Sequence, residues 1–210
     1  MDSKKHVTEI IKRLLRDHPS PKCALNFKTP FELLVATVLS AQTTDAQVNK
    51  VTASLFRKYR SIKAFAEAPI EELQADVSSV NFYRNKAANI RKSAIIIQER
   101  YGSRVPGTMQ ELITLPGVAR KTANIILSDA YGVIEGIAVD THVLRLSGRL
   151  GLSSETDPKK VEKDLMEITP TKQWPTLSHL LILHGRGVCK ARKPMHRDCT
   201  LRDICPSAVG

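Results

Sequence analysis

Leu115-Pro116-Gly117-Val118-Ala119-Arg120-Lys121-Thr122-Ala123-Asn124 is the stretch on which the reading of this chain turns, together with Val139-Asp140-Thr141-His142 downstream. Thr108 to Leu115 has the pattern of a short helix, and Pro116-Gly117 ends it, because proline cannot donate and glycine tolerates positive φ. A second helix is predicted to begin near Arg120. Its apolar residues Ile125, Ile126, Ala130 and Tyr131 recur at helical spacing, so one face of Lys121 to Tyr131 packs inward while the first turn stays exposed. The free N–H groups of that turn, with the positive end of the helix, suit a phosphate. Two helices joined by such a hairpin can grip a nucleic-acid backbone without reading its sequence.

Lys121 stands where amine chemistry would place it. An ammonium at a helix N-terminus is disfavoured by the macrodipole, and partial burial acts the same way, so a neutral nucleophilic amine becomes more available. Asp140 supplies the complementary charge. A carboxylate near a sugar carbon stabilises the oxocarbenium character that develops as a glycosidic bond breaks. The bland alternative makes Lys121 one more phosphate-binding lysine and Asp140 only the N-cap of a helix from Thr141 to Gly148.

The chain has 210 residues, 42% of them hydrophobic, and a formal charge of +11, enough for one good core or two small ones and favourable to a polyanionic partner. The N-terminal Met1-Asp2-Ser3-Lys4-Lys5-His6 lacks the apolar run of a signal peptide, and no later stretch is apolar enough to span a bilayer. A soluble, cytoplasmic, nucleoid-associated monomer with no membrane contact is the expectation. Four cysteines in such a chain point to metal or free thiols rather than a disulfide scaffold.

The pattern is helical nearly throughout, and the expected fold class is all-α. Val7, Ile10, Ile11, Leu14 and Leu15 form one apolar stripe ending at His18-Pro19, and Phe31, Leu34, Val35 and Val38 form another after Thr29-Pro30. Further helices are expected over Asp45 to Tyr59, Ile70 to Val77, Arg84 to Tyr101, Asp157 to Ile168 and Gln173 to Gly185. No internal repeat or low-complexity linker interrupts them.

Taken with Pro30-Phe31-Glu32-Leu33-Leu34, Leu39-Ser40-Ala41-Gln42-Thr43-Thr44-Asp45, Phe82-Tyr83-Arg84-Asn85-Lys86-Ala87 and Leu183-His184-Gly185-Arg186, the hairpin and the Val-Asp-Thr-His segment make the chain resemble the endonuclease III family of DNA glycosylases over nearly its whole length. The resemblance implies a two-lobed helix-hairpin-helix fold with a C-terminal metal-cluster loop. Residues 23–134 are expected to form the central helical domain, and 1–22 plus 135–210 the second, with DNA across the cleft. It also implies Lys121 as the nucleophile that becomes a Schiff base and Asp140 as the carboxylate assisting base loss. In adenine-specific relatives the lysine position cannot form an imine, so a lysine here implies lyase activity.

By the same resemblance, Cys189, Cys199 and Cys205 match three positions of the family's Cys-x6-Cys-x2-Cys-x5-Cys loop, which holds a [4Fe-4S] cluster, and His196 stands at the second. Three cysteines and a histidine are also a structural zinc set, and three ligands plus solvent, or no stable cluster, are further readings. With a cluster, a neutral imidazole in place of a thiolate is expected to raise the reduction potential and make the site acid-sensitive. Lys190, Arg192 and Lys193, with Arg186 and Arg197, read as phosphate contacts beside these ligands or as an ordinary solvated face. Cys23 lies apart and reads as an incidental thiol.

Reaching a sugar carbon beneath a base requires extruding the nucleotide, and Gln42 and Phe82 match family positions that wedge into the gap. Without the resemblance, Gln42 would read as a helix end and Phe82 as core. Asn81 replaces a glycine often found before the wedge, and asparagine tolerates left-handed φ. Ala119 replaces another in the hairpin and still permits close phosphate approach. Leu115, Gly117, Ala119 and Arg120 complete the expected DNA contacts. The reading is a bifunctional DNA glycosylase and apurinic/apyrimidinic lyase that removes oxidised pyrimidines from damaged double-stranded DNA. A glycosylase of other specificity and a non-catalytic DNA-binding or redox-sensing protein are the rivals.

Overall fold

The computed structural model describes residues 2–208, and no strand forms among them. Eleven α-helices are present among the described residues: α1 (Ser3–Asp17), α2 (Pro30–Ser40), α3 (Asp45–Lys58), α4 (Ile62–Glu67), α5 (Ile70–Asp76), α6 (Tyr83–Arg100), α7 (Met109–Leu112), α8 (Arg120–Tyr131), α9 (Thr141–Arg149), α10 (Pro158–Ile168) and α11 (Trp174–Gly187). None of these is long and apolar enough to cross a membrane. They fall into two compact units, Cys23–Val133 and Met1–Lys22 with Ile134–Gly210.

In the Cys23–Val133 unit, α2 is the central element. Thr29 caps it through Oγ1, which accepts from Glu32 N at 3.2 Å, and Glu32 Oε2 returns the bond to Lys28 N at 2.6 Å. The expected single stripe on this helix is too narrow a description. Leu33, Leu34, Val35, Ala36, Thr37, Val38 and Leu39 are all buried, so α2 is wrapped on every side, as an apolar helix inside a bundle must be. Each such leucine stabilises the unit by about 1.5–3 kcal/mol relative to exposure. Helix α4 was not expected. Its six residues are too few to show a period, yet Ser61 Oγ caps it and Phe65 lies in the core. The short helix expected over Thr108 to Leu115 is only Met109–Leu112, and Thr114 and Leu115 close successive tight turns onto Glu111 O and Leu112 O.

The other unit packs α1, α9, α10 and α11 about Ile10, Leu14, Val143, Leu146, Leu177 and Leu181. Helix α1 is fastened at both ends: His6 Nε2 lies 2.8 Å from Leu150 O, and Asp17 Oδ2 accepts from Thr200 Oγ1 at 2.8 Å. Arg13 donates to Thr200 O as well. The segment after α11 is thereby held on the first helix, and Leu201 is fully buried beneath it.

Candidate active site and nucleic-acid interface

The hairpin between α7 and α8 is built against α6. Leu115 and Val118 are buried at 2% and 5% exposure and anchor it, so Leu115 can meet DNA only through its backbone. Ser93 Oγ donates to Pro116 O at 3.0 Å. Gly117 has φ +81°, and a Cβ there would sit 3.1 Å from Asn89 Nδ2 and 3.2 Å from Asn89 Cβ. Both the left-handed backbone and the close approach exclude a side chain. Ala119 is the N-cap of α8 and supplies no side-chain acceptor. No side chain caps the first turn of this helix, an arrangement that suits an anion. Arg120 and Lys121 are exposed there. The partial burial expected of Lys121 is absent, because the inward face of α8 begins at Ala123 and Asn124.

Asp140 is the N-cap of α9. One oxygen, Oδ1, accepts from both His142 N and Val143 N at 2.8 Å, and Oδ2 takes no part in the cap. The side chain is half-buried. His142 follows with Nδ1 at 3.2 Å from Arg145 Nη2, and since guanidinium only donates, Nδ1 is the acceptor. Burial, seconded by the charges of Arg145 and Arg186, holds His142 below the ordinary imidazole range against the pull of Asp140. Arg145 also donates to Gly185 O and Cys189 O, both at 3.0 Å.

Gln42 and Phe82 lie in two loops that are tied together. Both have left-handed backbone, φ +55° and +56°, and both are exposed, Phe82 at 63%. Asn81 is not the left-handed residue, contrary to expectation. Its side chain instead donates to Gln42 O at 2.5 Å, and its backbone N–H reaches Thr43 Oγ1 at 3.3 Å. Beneath them Lys86 is 6% exposed, its ammonium bonded to Leu39 O at 2.8 Å, Ala41 O at 2.6 Å and Thr43 Oγ1 at 3.2 Å. A cation at the C-terminus of α2 satisfies carbonyls that the helix leaves unpaired. Burial pushes the pKa of this lysine down.

Cys189, His196, Cys199 and Cys205 line one cavity of about 260 Å³ beyond the end of α11, and the three thiols are free. Among the described residues, no three Cys, His, Asp or Glu side chains converge on a point as a formed single-ion sphere. Arg149 clamps the loop: Nη1 donates to Lys190 O at 2.8 Å and approaches Cys189 Sγ at 3.3 Å, while Nη2 donates to Ala191 O at 2.9 Å. His184, 2% exposed, lies 3.5 Å from Cys199 Sγ through Nε2. Lys190, Arg192, Lys193 and Arg197 are exposed on the same loop, and Arg186 is exposed on the last turn of α11.

Comparison with known proteins decides the family. The HhH-GPD superfamily base excision DNA repair protein family matches residues 35–171. Endonuclease III of Synechocystis is 49% identical over 98% of this chain and 94% of its own, and that of Escherichia coli K12 is 41% identical over 94% and 93%. The chain belongs to the endonuclease III family. A solved trapped endonuclease III–DNA covalent intermediate superposes with a TM-score of 0.93 at 44% identity, covering 98% of this chain and 96% of that one. A thermostable thymine-DNA glycosylase, at 20% identity and TM-score 0.88, shares the fold.

In this endonuclease III homologue the candidate residues collect in distinct places. The hairpin, Lys121 and the paired Gln42 and Phe82 loops belong to the Cys23–Val133 unit, and Asp140 and the cysteine loop to the other. Lys86, Arg149 and His184 escaped the sequence reading. Lys86 and His184 stand within quoted motifs, but their burial is a tertiary fact, and Arg149 looks like any arginine closing an amphipathic helix.

Proposed function

We propose that this endonuclease III homologue is a bifunctional DNA glycosylase and apurinic/apyrimidinic lyase that removes oxidised pyrimidines from duplex DNA. The observation that carries the reading is an exposed amine, Lys121, on the first turn of a helix whose N-cap has no side-chain acceptor, directly after the Gly117 turn. Backbone amides there bind the phosphate beside the lesion and fix the sugar against the amine. Gln42 and Phe82 fill the gap left by the extruded nucleotide. Lys121 attacks C1′ as the base departs, and Asp140 offsets the positive charge that develops on the sugar. The resulting imine acidifies C2′, a proton leaves there, and β-elimination breaks the bond to the 3′ phosphate.

The cysteine cavity fits a polynuclear group better than a single ion. Zinc needs four donors within about 2.0–2.3 Å of one point, whereas the three cysteines and His196 here are among the residues that line a cavity of about 260 Å³. Cys189, His196, Cys199 and Cys205 would hold a [4Fe-4S] cluster. Its contribution when bound is to cross-link the loop, so that Lys190, Arg192 and Lys193 meet phosphates from a stiff support.

Borohydride trapping on duplexes bearing thymine glycol or an abasic site, with Lys121→Ala beside the parent, tests the reading. Trapping of both by the parent and of neither by the variant is expected. Trapping of the abasic duplex alone would void the lesion assignment, and none at all would void the chemistry.

A further inference from the structure

Of the exposed large apolar side chains, Phe82, Ile113 and Met195 belong to the wedge, hairpin and cysteine loops, but Tyr131 and Val133, at and just beyond the end of α8, do not, and Tyr131 is the one that meets a cavity. Tyr131 closes α8 and walls a separate cavity of about 510 Å³ in the Cys23–Val133 unit. Phe31, Tyr59 and Phe65, each under 9% exposed, form the floor. Apart from the exposed Ser103 hydroxyl, the hydroxyl groups of the walls are already engaged: Thr29 Oγ1 and Ser61 Oγ cap α2 and α4, Tyr59 Oη donates to Asp76, and Tyr131 Oη donates to Val105 O. Glu32 Oε2 accepts from Lys28 N, and its carboxylate is the one acidic group of the lining beside two arginines. What remains is the rim. Arg104 is exposed and its guanidinium makes no hydrogen bond or ion pair among the described residues, and Arg60, also exposed, reaches only Arg57 O among them. An apolar floor with satisfied walls and two guanidinium groups above it suits an apolar side chain flanked by carboxylates.

A nucleobase suits it less. Phe31 and Phe65 meet edge-on at 69°, and Tyr59 is tilted 42° to Phe65, so the floor offers no parallel slot for stacking. Position also separates this pocket from the DNA-directed loops. Helices α2 and α8 each have one end at the pocket and the other at the wedge or hairpin, and α6 runs from Phe82 toward Ser103 and Arg104. The 12 residues of α8 alone set the two ends about 18 Å apart.

We propose that this pocket docks an acidic segment of a partner protein, one apolar side chain seated on the aromatic floor and its neighbouring carboxylates paired with Arg60 and Arg104, while DNA is held at the opposite pole. The test uses the full chain, isotope-labelled, titrated with the peptide acetyl-Asp-Glu-Asp-Leu-Phe-Glu-Asp-amide and followed by amide shifts and fluorescence anisotropy. Saturable shifts around Ser103, Arg104 and Tyr131 are expected. R60E/R104E should weaken binding about tenfold or more, as should replacing the peptide's Leu-Phe by Ser-Ser. K4E/K5E, with the same change of net charge elsewhere, should change it less than about twofold. Lesion turnover should be unaffected by R60E/R104E. No saturable binding, an equal loss in K4E/K5E, or displacement of the peptide from these residues by an oligothymidylate would each overturn the proposal.

Discussion

In the proposed mechanism Asp140 meets two demands with one side chain, and a single substitution separates them. Its Oδ1 holds two first-turn amides of α9, a task asparagine performs as well as aspartate. Charge stabilisation at the sugar is beyond an amide. Asp140→Asn should therefore stay within about 0.5 kcal/mol of the parent in urea unfolding and lose about 10²–10³-fold in single-turnover base excision. A large loss of stability with little loss of rate would make the residue a cap and nothing more. His142 beside it carries a pH signature. Its folded value lies below 6.5 because of burial, so the unfolded chain binds more protons as pH falls below that ordinary value. Stability then rises with pH through the window beneath 6.5 and is lost on acidification. His142→Gln should flatten this acid limb relative to the parent when unfolding is measured between about pH 5 and 7.5. At this scale the sequence tells residue types but not conformations: asparagine at 81 invited a left-handed reading, while packing against Thr43 and Gln42 passes that backbone to Phe82.

Helices were legible wherever a cap and a period coincide, as at Thr29-Pro30 and Asp157-Pro158, whose side chains accept from the amides that the first turn leaves unpaired. Helix α4 has a cap but less than two turns, so only its packing of Phe65 against Phe31 and Tyr59 reveals it. How α2, α6 and the Gln42 and Phe82 loops join was not legible at all, because it depends on Lys86, a charged residue in a polar motif that turns inward. Lys86→Met should leave two carbonyls of the α2 terminus without their donor and cost on the order of 2–3 kcal/mol. Hydrogen exchange should rise across 40–44 and 78–82 while the α8 amides keep their protection. Uniform loss of protection would show that the lysine supports the whole unit rather than these loops. Gly185 does comparable work between α9 and α11, since a Cβ there would sit 3.0 Å from both His142 Nδ1 and Arg145 Nη2. Gly185→Ala must make the His142 ring and the Arg145 guanidinium give way by a few tenths of an ångström, and thermal unfolding should register a loss of about 1–3 kcal/mol.

At the scale of the whole molecule a charge of +11 is distributed with a purpose that salt can expose. Exposed cations occur on the first turn of α8, where Arg120 and Lys121 stand, and on the loop after α11, where Lys190, Arg192 and Lys193 stand. That loop is stiffened by Arg149 even before any cluster is considered, through three contacts with residues 189–191. Long side chains on a fixed support lose less entropy on meeting phosphates than the same chains on a loose tail. If Lys190 and Lys193 each neutralise one phosphate, replacing both by alanine removes two released counterions, and the slope of log affinity against log salt should become shallower by about 1.8. The double variant should bind an abasic-analogue duplex more weakly at low salt and approach the parent as salt rises, with the rate of imine trapping at saturating DNA unchanged. Lys63→Ala, whose ammonium sits 3.7 Å from Glu67 on α4, is the control and should leave the slope alone. An unaltered slope in the double variant would assign the loop's charges to solvation and leave the α8 terminus as the principal electrostatic grip on DNA.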